Sequence, residues 1–366
     1  MSVLITQIFP FEEVVNIKGA SQAGNNFCHN FMIAGEFSKT YSLQLISEKK
    51  KKPFFKQNKN VDYICVRIVP HVGLIRFFNA LIENIIVFTR ILKSGEKHIW
   101  FYNVMVHNFV LFCLLRFLTM KKCFVLVADY NPELTMNKFS KPLLRRAHGI
   151  ISLTQEFAKI TPKIKNFIVI PGIINTYSLV NTNQKTSSFS TKRILFSGVL
   201  DSHKGIKLAL DAFSLMPEYE LIITGIGKNV ELIEEYSKKY HNIKYLGYLK
   251  FDEYINVLNS ISIVLSLRDT NVRENEFNFP SKIIEYFLAG KIVVSTKAYS
   301  TIDDSMYYVC GFQTAELKKC IETIAKKPIA ELIKLSQDVE NYANENFSYQ
   351  TWHNAIQSIE QYSFKQ

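Results

Sequence analysis

The sequence is notable first for what it lacks. Its six cysteines, at positions 28, 65, 113, 123, 310 and 320 of 366 residues, form no CxxC pair and no zinc-ligand spacing. That excludes a zinc module and a disulfide-stapled scaffold. No charged and then apolar leader opens the chain. Met1-Ser2-Val3-Leu4-Ile5-Thr6 reads as a strand, so a reducing, cytoplasmic setting is expected. Only 14 Gly and 10 Pro are present, which excludes collagen-like and low-complexity classes. No apolar run reaches the roughly 20 residues that span a bilayer. The most apolar stretch, Val104 to Met120, is broken by His107, Asn108 and Arg116, and reads as a core or interface-lying helix. There is no repeat of about 20–50 residues. No RNP, KH or zinc motif accompanies the basic stretches, so nucleic acid is not the expected partner.

What is present is globular: 48% hydrophobic and 21% charged residues, with enough chain for two domains and two cores. The net charge of +12 is unevenly spread. Residues through Ser178 carry 23 Lys and Arg against 10 Asp and Glu, or +13, and the remainder carries 21 against 22, or −1. A basic half joined to a neutral half implies two domains with different partners. The basic half, rich in aromatics, suits an anionic membrane surface.

Strands and helices alternate along the chain, the order of a parallel α/β fold. Residues 3–8 form a first strand, followed by the small, polar segment Asn16 to Asn26 with Gly19. That segment is either a loop where backbone approaches a ligand or a plain tight turn. Glu48 to Asn60 places Lys49, Lys50, Lys51, Lys52, Lys56 and Lys59 around Phe54 and Phe55. This is either a solvated loop or one that touches membrane, lysines over headgroups and Phe inserted. Cys123 to Ala128 is a buried strand ending at Asp129, where open α/β sheets bind ligands. A turn-forming Asp before Asn131-Pro132 is the alternative. His107 is either a catalytic candidate or a satisfied core histidine. Asn181 to Thr191, rich in Ser, Thr and Asn, reads as a linker.

The second half opens with the strand Arg193 to Gly198, a loop to Lys204-Gly205 and a helix. A short glycine loop, Gly225-Ile226-Gly227, follows the next strand. The organising stretch is Phe277 to Lys291, between the apolar runs Ile261–Leu267 and Ile292–Val294. Pro280 and Ser281 suit a first helical turn, and Gly290 suits its end. Lys282 adds positive charge there, and Glu285 lies one turn further along the same face as Ser281. A phosphate donor and a carboxylate so spaced could hold the diphosphate and the ribose hydroxyls of a nucleotide.

This segment resembles the donor-binding segment of glycosyltransferase family 4, retaining enzymes of the GT-B fold. Glu285 matches the second of the family's two glutamates, which contacts the ribose. The first glutamate is out of register: Phe277 lies at its position and Glu276 is one residue early. The donor-sugar contact is then Glu276, Asn278 or backbone N–H groups alone. Lys204 matches the family's diphosphate-gripping lysine, whereas Val199 stands where the family commonly has an arginine. The resemblance implies two Rossmann-like domains facing a cleft, residues 1–180 and 191–345, with 346–366 crossing back onto the first. It implies a nucleotide-diphospho-sugar donor, UDP- or GDP-linked, and no metal, since no DxD motif occurs and Asp303-Asp304 lacks that spacing. Donor contacts are expected at Gly19, Gly198, Lys204, Gly225, Tyr248, Glu276, Asn278, Phe279, Pro280, Ser281, Lys282 and Glu285. Lys204 and Lys282 are expected to stabilise the leaving diphosphate, with Asp129 and His107 as further catalytic candidates. A lipid-linked or polysaccharide acceptor and a peripheral place at the inner face of the plasma membrane complete the expectation. The rival is a degenerate, non-catalytic, basic peripheral protein, and donor-dependent turnover separates the two.

Overall fold

The computed structural model describes residues 2–8, 22–43, 54–58, 60–65, 73–104, 108–128, 130, 141–160, 164, 166–173, 189–279 and 281–362. The chain divides into two compact units, one of Met1–Ile173 with Tyr349–Gln366 and one of Ile174–Ser348.

In the first unit the elements are β1 (Ser2–Thr6), α1 (Gln22–Ala34), β2 (Lys39–Leu43), β3 (Phe54–Asn58), β4 (Val61–Cys65), α2 (Gly73–Lys93), β5 (His98–Tyr102), α3 (Phe109–Leu118), β6 (Lys122–Val127), β7 (Gly149–Ser152) and β8 (Phe167–Val169). They build an eight-stranded sheet in the order β3-β4-β2-β1-β5-β6-β7-β8. All pairings are parallel except β3 with β4. The central strands β1, β5 and β6 are continuous apolar runs because helices cover both faces of such a sheet.

The second unit contains β9 (Arg193–Val199), α4 (Ile206–Phe213), β10 (Glu220–Ile226), α5 (Val230–Lys239), β11 (Ile243–Tyr245), α6 (Phe251–Asn259), β12 (Ile263–Ser266), the single turn α7 (Glu274–Phe277), α8 (Lys282–Leu288), β13 (Ile292–Ser295), β14 (Tyr308–Val309), α9 (Thr314–Ala325) and α10 (Ile329–Asn346). Its six strands are all parallel, in the order β11-β10-β9-β12-β13-β14. This is the doubly wound order in which direction of winding reverses between β9 and β12, and ligands bind above that point. Its core joins the inward faces of β9, β10, β12 and α4 around Phe196, Phe213 and Leu265.

The last helix, α11 (Tyr349–Tyr362), packs in the first unit against α1, β7 and β8. Glu360 on it accepts hydrogen bonds from Ser2 Oγ (2.5 Å), His98 Nδ1 (2.8 Å) and Trp100 Nε1 (2.7 Å). Trp352 is fully buried and its Nε1 donates to the Gly172 carbonyl.

Three expectations need correcting. The basic stretch Glu48 to Asn60 is not all loop, because Phe54–Asn58 forms β3 and pairs antiparallel with β4, Asn58 opposite Val61. The helix read from Ala330 to Gln361 is two helices. Phe347 is buried and leaves the helical conformation (φ −115°, ψ 15°), which separates α10 from α11. The helix read from Val104 begins at Phe109, after Asn103 takes a left-handed φ of 56°. Among the described residues no helix is long and apolar enough to cross a membrane.

Candidate functional site

The loops that follow β9, β10 and β12 meet at the reversal point of the second sheet. Gly198 and Gly225 are paired on adjacent strands with φ of 129° and 132°. L-residues rarely adopt such angles, and a Cβ at Gly225 would run into the Gly198 carbonyl. Backbone is therefore brought close at the mouth of these strands. The β9 loop is fixed by Asp201, whose Oδ1 accepts from the Lys228 N–H at 2.8 Å. Lys204, partly buried, ends the short turn Ser202–Lys204 that leads into α4.

The loop after β12 is tied to that turn. The Asp269 N–H donates to the His203 carbonyl (3.2 Å), and Asn275 Nδ2 donates to the carbonyls of His203 (3.2 Å) and Asp269 (2.9 Å). Thr296 Oγ1 bonds both the N–H and the carbonyl of Arg268, at 2.7 and 2.8 Å. Lys297 Nζ donates to the carbonyls of Asn275 (2.6 Å) and Glu276 (2.9 Å), closing the end of α7 where carbonyls point outward. Phe279 turns inward onto Tyr299, ring centres 5.2 Å apart, and is 8% exposed. Ser281 is exposed, and Glu276 and Asn278 are half-buried.

Beneath this loop the first turn of α8 closes a polar cluster. Lys282 Nζ donates to Ser197 Oγ at 2.7 Å and sits 4.8 Å over the Tyr254 ring. Ser197 Oγ shares a 2.9 Å hydrogen bond with Tyr286 Oη. Tyr254 Oη donates to Glu285 Oε1. Burial lowers the pKa of Lys282, and the Glu285 charge opposes that shift. Burial, then the Glu285 charge, raises the Tyr254 hydroxyl well above its usual value. Burial raises Tyr286 as well, again with Glu285 adding to it. Lysine, carboxylate and two hydroxyls thus share one small volume, and the tyrosines remain donors throughout the accessible pH range.

Of the residues expected from sequence, Gly198, Lys204, Gly225, Glu276, Asn278, Phe279, Ser281, Lys282 and Glu285 lie in these loops and on α8. Tyr248 follows β11 and is 65% exposed. Gly19, His107, Asp129 and Pro280 lie outside the described residues, as do Lys49 to Lys52. Ser197, Tyr254, Thr296 and Lys297 were not anticipated. Ser197 and Tyr254 come from a different strand and helix, and only the strand order brings them under α8. Thr296 and Lys297 follow β13 directly, where a polar pair after an apolar strand is the one available signal. Among the described residues, no group of three or more His, Cys, Asp or Glu side chains could hold a metal ion.

Solved structures share this architecture. Sucrose-phosphate synthase from Thermosynechococcus elongatus superposes with a TM-score of 0.73 at 13% identity, covering 100% of this chain and 99% of that one. An Escherichia coli trehalose-6-phosphate structure bound with UDP-2-fluoro glucose gives 0.69 at 9% identity, covering 99% of each chain. Anabaena HepE in complex with UDP-glucose gives 0.68 at 14% identity, covering 99% and 100%.

The fold is GT-B.

Residues 181–344, which include the whole site described above, match the family model of glycosyl transferases group 1. No curated protein matches the chain in sequence. The GT-B fold and the group 1 match together support a glycosyltransferase.

Proposed function

We propose that this GT-B protein transfers a sugar, with retention, from a nucleotide-diphospho-sugar to a lipid-linked or polysaccharide acceptor. The observation that carries the reading is the cluster of Lys282, Ser197, Tyr254 and Glu285 beside the Lys204 turn, at the reversal point of a sheet inside the group 1 segment. The reaction needs negative charge stabilised on a leaving nucleoside diphosphate while the sugar becomes cationic. Preorganised donors serve that need best, because they require no reorganisation as charge develops. Lys204 and Lys282 are those donors. Lys282 is held by Ser197, and its lowered pKa records a buried ammonium that an arriving diphosphate would compensate. Glu285, oriented by Tyr254, accepts from the ribose hydroxyls.

The donor contacts reach Gly198, Gly225, Tyr248, Glu276, Asn278, Phe279, Pro280 and Ser281, the Phe279 contribution being backbone because its ring faces Tyr299. UDP-sugars bound to two structures of the same fold favour UDP over GDP. Electrostatic stabilisation by the lysines carries the transfer, with no metal. Gly19, His107 and Asp129 are the first domain's candidates from sequence alone. Three regions make up the chain: an acceptor domain (1–180), a donor domain (191–345) and the returning helix (346–366). The basic first domain holds the enzyme at an anionic membrane surface on the cytoplasmic side.

Calorimetric titration of UDP, GDP and ADP without metal, into wild type and Lys204→Ala, tests the reading. Saturable binding of one nucleotide, lost in the variant, is expected. Nucleotide binding with no turnover on any sugar donor would favour the degenerate, non-catalytic alternative. Binding of no nucleotide would refute the donor site.

A further inference from the structure

The helix α2 is apolar on both sides. Ala80, Val87 and Ile91 face inward and are buried, with Glu83, its one acidic residue, also buried. The opposite face is open: Leu74 is 78% exposed, Phe78 54%, Ile85 47% and Leu92 49%. These positions share one helical stripe that runs for about 27 Å at 1.5 Å per residue. Phe77 and Phe78 stand together at its first turns, rings 6.1 Å apart and tilted edge to face.

The far end of this stripe meets a second apolar tip. Lys121 Nζ, just after α3, donates to the carbonyls of Ser94 (3.2 Å) and Glu96 (2.6 Å), just after α2. Beside that junction Phe117, Leu118 and Met120 are exposed, Met120 by 96%. Cations ring the tip. Lys93 and Lys97 are exposed, Arg116 lies 5.7 Å over the Phe117 ring, and Arg116 Nε donates to the carbonyl of the exposed Arg146. Neither α2 nor α3 presents an acidic side chain to solvent.

We propose that α2 and the tip of α3 form a membrane-docking face that lies in the interface of an anionic bilayer. The proposal rests on the peripheral-membrane reading above and places the contact on described residues, apart from the Lys49–Lys52 segment. A helix with one apolar face and cationic flanks is the form that settles into headgroups, with burial of the apolar stripe and attraction to anionic lipid adding together. A bilayer also makes no demand for shape complementarity from so long and even a stripe. A second copy of the chain is a poorer occupant, since it would bring another half of net charge +13 against the first.

The test is co-sedimentation of the full chain with phosphatidylcholine vesicles, with and without phosphatidylglycerol. The triple variant Leu74→Gln/Phe78→Gln/Ile85→Gln changes only exposed side chains. Wild type is expected to bind the anionic vesicles and to weaken with salt, and the triple variant to bind at least about tenfold more weakly. Nucleotide titration of the same variant is expected to match wild type, which separates this surface from the donor site. A single Phe78→Trp variant adds a local reporter, because Trp100 and Trp352 are fully buried. Its emission is expected to shift to the blue, and its quenching by iodide to fall, when anionic vesicles are added. Pelleting with an unchanged reporter would overturn the proposal while leaving a membrane contact elsewhere, such as Lys49–Lys52. No pelleting with any vesicle would overturn both the proposal and the peripheral reading. A wild-type dimer that the triple variant makes monomeric, with vesicle binding unchanged, would assign the stripe to a second copy instead.

Discussion

Tyr254→Phe removes from the proposed donor site one hydroxyl, which donates to Glu285 and accepts a long hydrogen bond from Ser197 Oγ at 3.5 Å. The ring under Lys282 Nζ, at 4.8 Å, is retained, and only the hydroxyl that donates to Glu285 is removed. A hydrogen bond to a charged group is worth roughly 1.5–3 kcal/mol when buried. Glu285 is only half-buried, so water replaces part of the loss and the cost to folding should be about 1 kcal/mol. That is a fall in melting temperature of roughly 2–4 °C for a unit of this size. The effect on binding has a different origin. Without its donor, Glu285 must be ordered by the nucleotide, at about 0.5–1.5 kcal/mol for one flexible side chain. The affinity for the bound nucleotide should therefore fall by about twofold to twelvefold. Because burial and the Glu285 charge keep the Tyr254 hydroxyl protonated, this loss should be constant from neutral to mildly alkaline pH.

Calorimetric titration paired with thermal melting reads both quantities. Tyr286→Phe is the control, since its hydroxyl bonds Ser197 and not Glu285. A lowered melting temperature in Tyr254→Phe with wild-type affinity for every nucleotide would refute the argument. It would show that the bond exists in the fold but that Glu285 is not the group that meets the ribose.

Two further outcomes are expected. Glu285→Ala should weaken nucleotide binding with little loss of fold, since Glu285 is half-buried and the packing of α8 is carried by Ile283, Ile284, Tyr286, Phe287 and Leu288; equal affinity for UDP, GDP and ADP in mutant and wild type would remove it from the site. His148 supplies a pH test in the first unit: its Nδ1 accepts from the Cys123 N–H at 2.9 Å, so it is held neutral. Burial, with Arg116 and Lys122 nearby, lowers its pKa to about 4 from an ordinary 6.5. Between those values the unfolded chain binds more protons than the folded one, so stability rises with pH across that window and is lost as pH falls through it. The full shift corresponds to about 3 kcal/mol, and partial solvent contact reduces it to about 1–2 kcal/mol. Chemical denaturation of wild type and His148→Asn from pH 4 to 7 checks this, because the amide oxygen can keep accepting from Cys123 without titrating. An equal slope in both proteins would exclude His148 as its source.

The second unit was the more legible in sequence, for physical reasons. Its strands are buried on both faces, so Ile194 to Phe196, Leu221 to Ile223 and Val293 to Val294 stand out as apolar runs between polar loops. Lys282 and Glu285 could be paired in advance because one helical turn fixes their spacing. Ser197 and Tyr254 could not, because their approach to Lys282 depends on β9 lying next to β12, where Ile194 pairs with Ile263, 69 residues further along the chain. The hairpin of β3 and β4 was hidden by its lysines. Charge there suits an edge strand as well as a loop, since lysine on an edge discourages further pairing. The break at Phe347 was hidden because α10 and α11 both keep helical spacing up to it, and only the burial of Phe347 ends the first.

The same limit explains how α2 could be placed as a helix without its partner being seen. A periodicity of apolar residues locates a helix but says nothing about a second apolar face. On α2 the buried positions Ala80, Val87 and Ile91 already account for packing in the first unit, so Leu74, Phe78 and Ile85 are surplus to the fold. Large apolar side chains left on a surface without a folding role mark an interaction site when they are contiguous. In this chain they adjoin the cations of the basic half, whereas the second unit is near neutral and carries the proposed donor site. On the proposed reading, the charge division first visible in the sequence has a structural counterpart: the basic unit would meet an anionic surface, and the near-neutral unit would hold an anionic small molecule through Lys204 and Lys282.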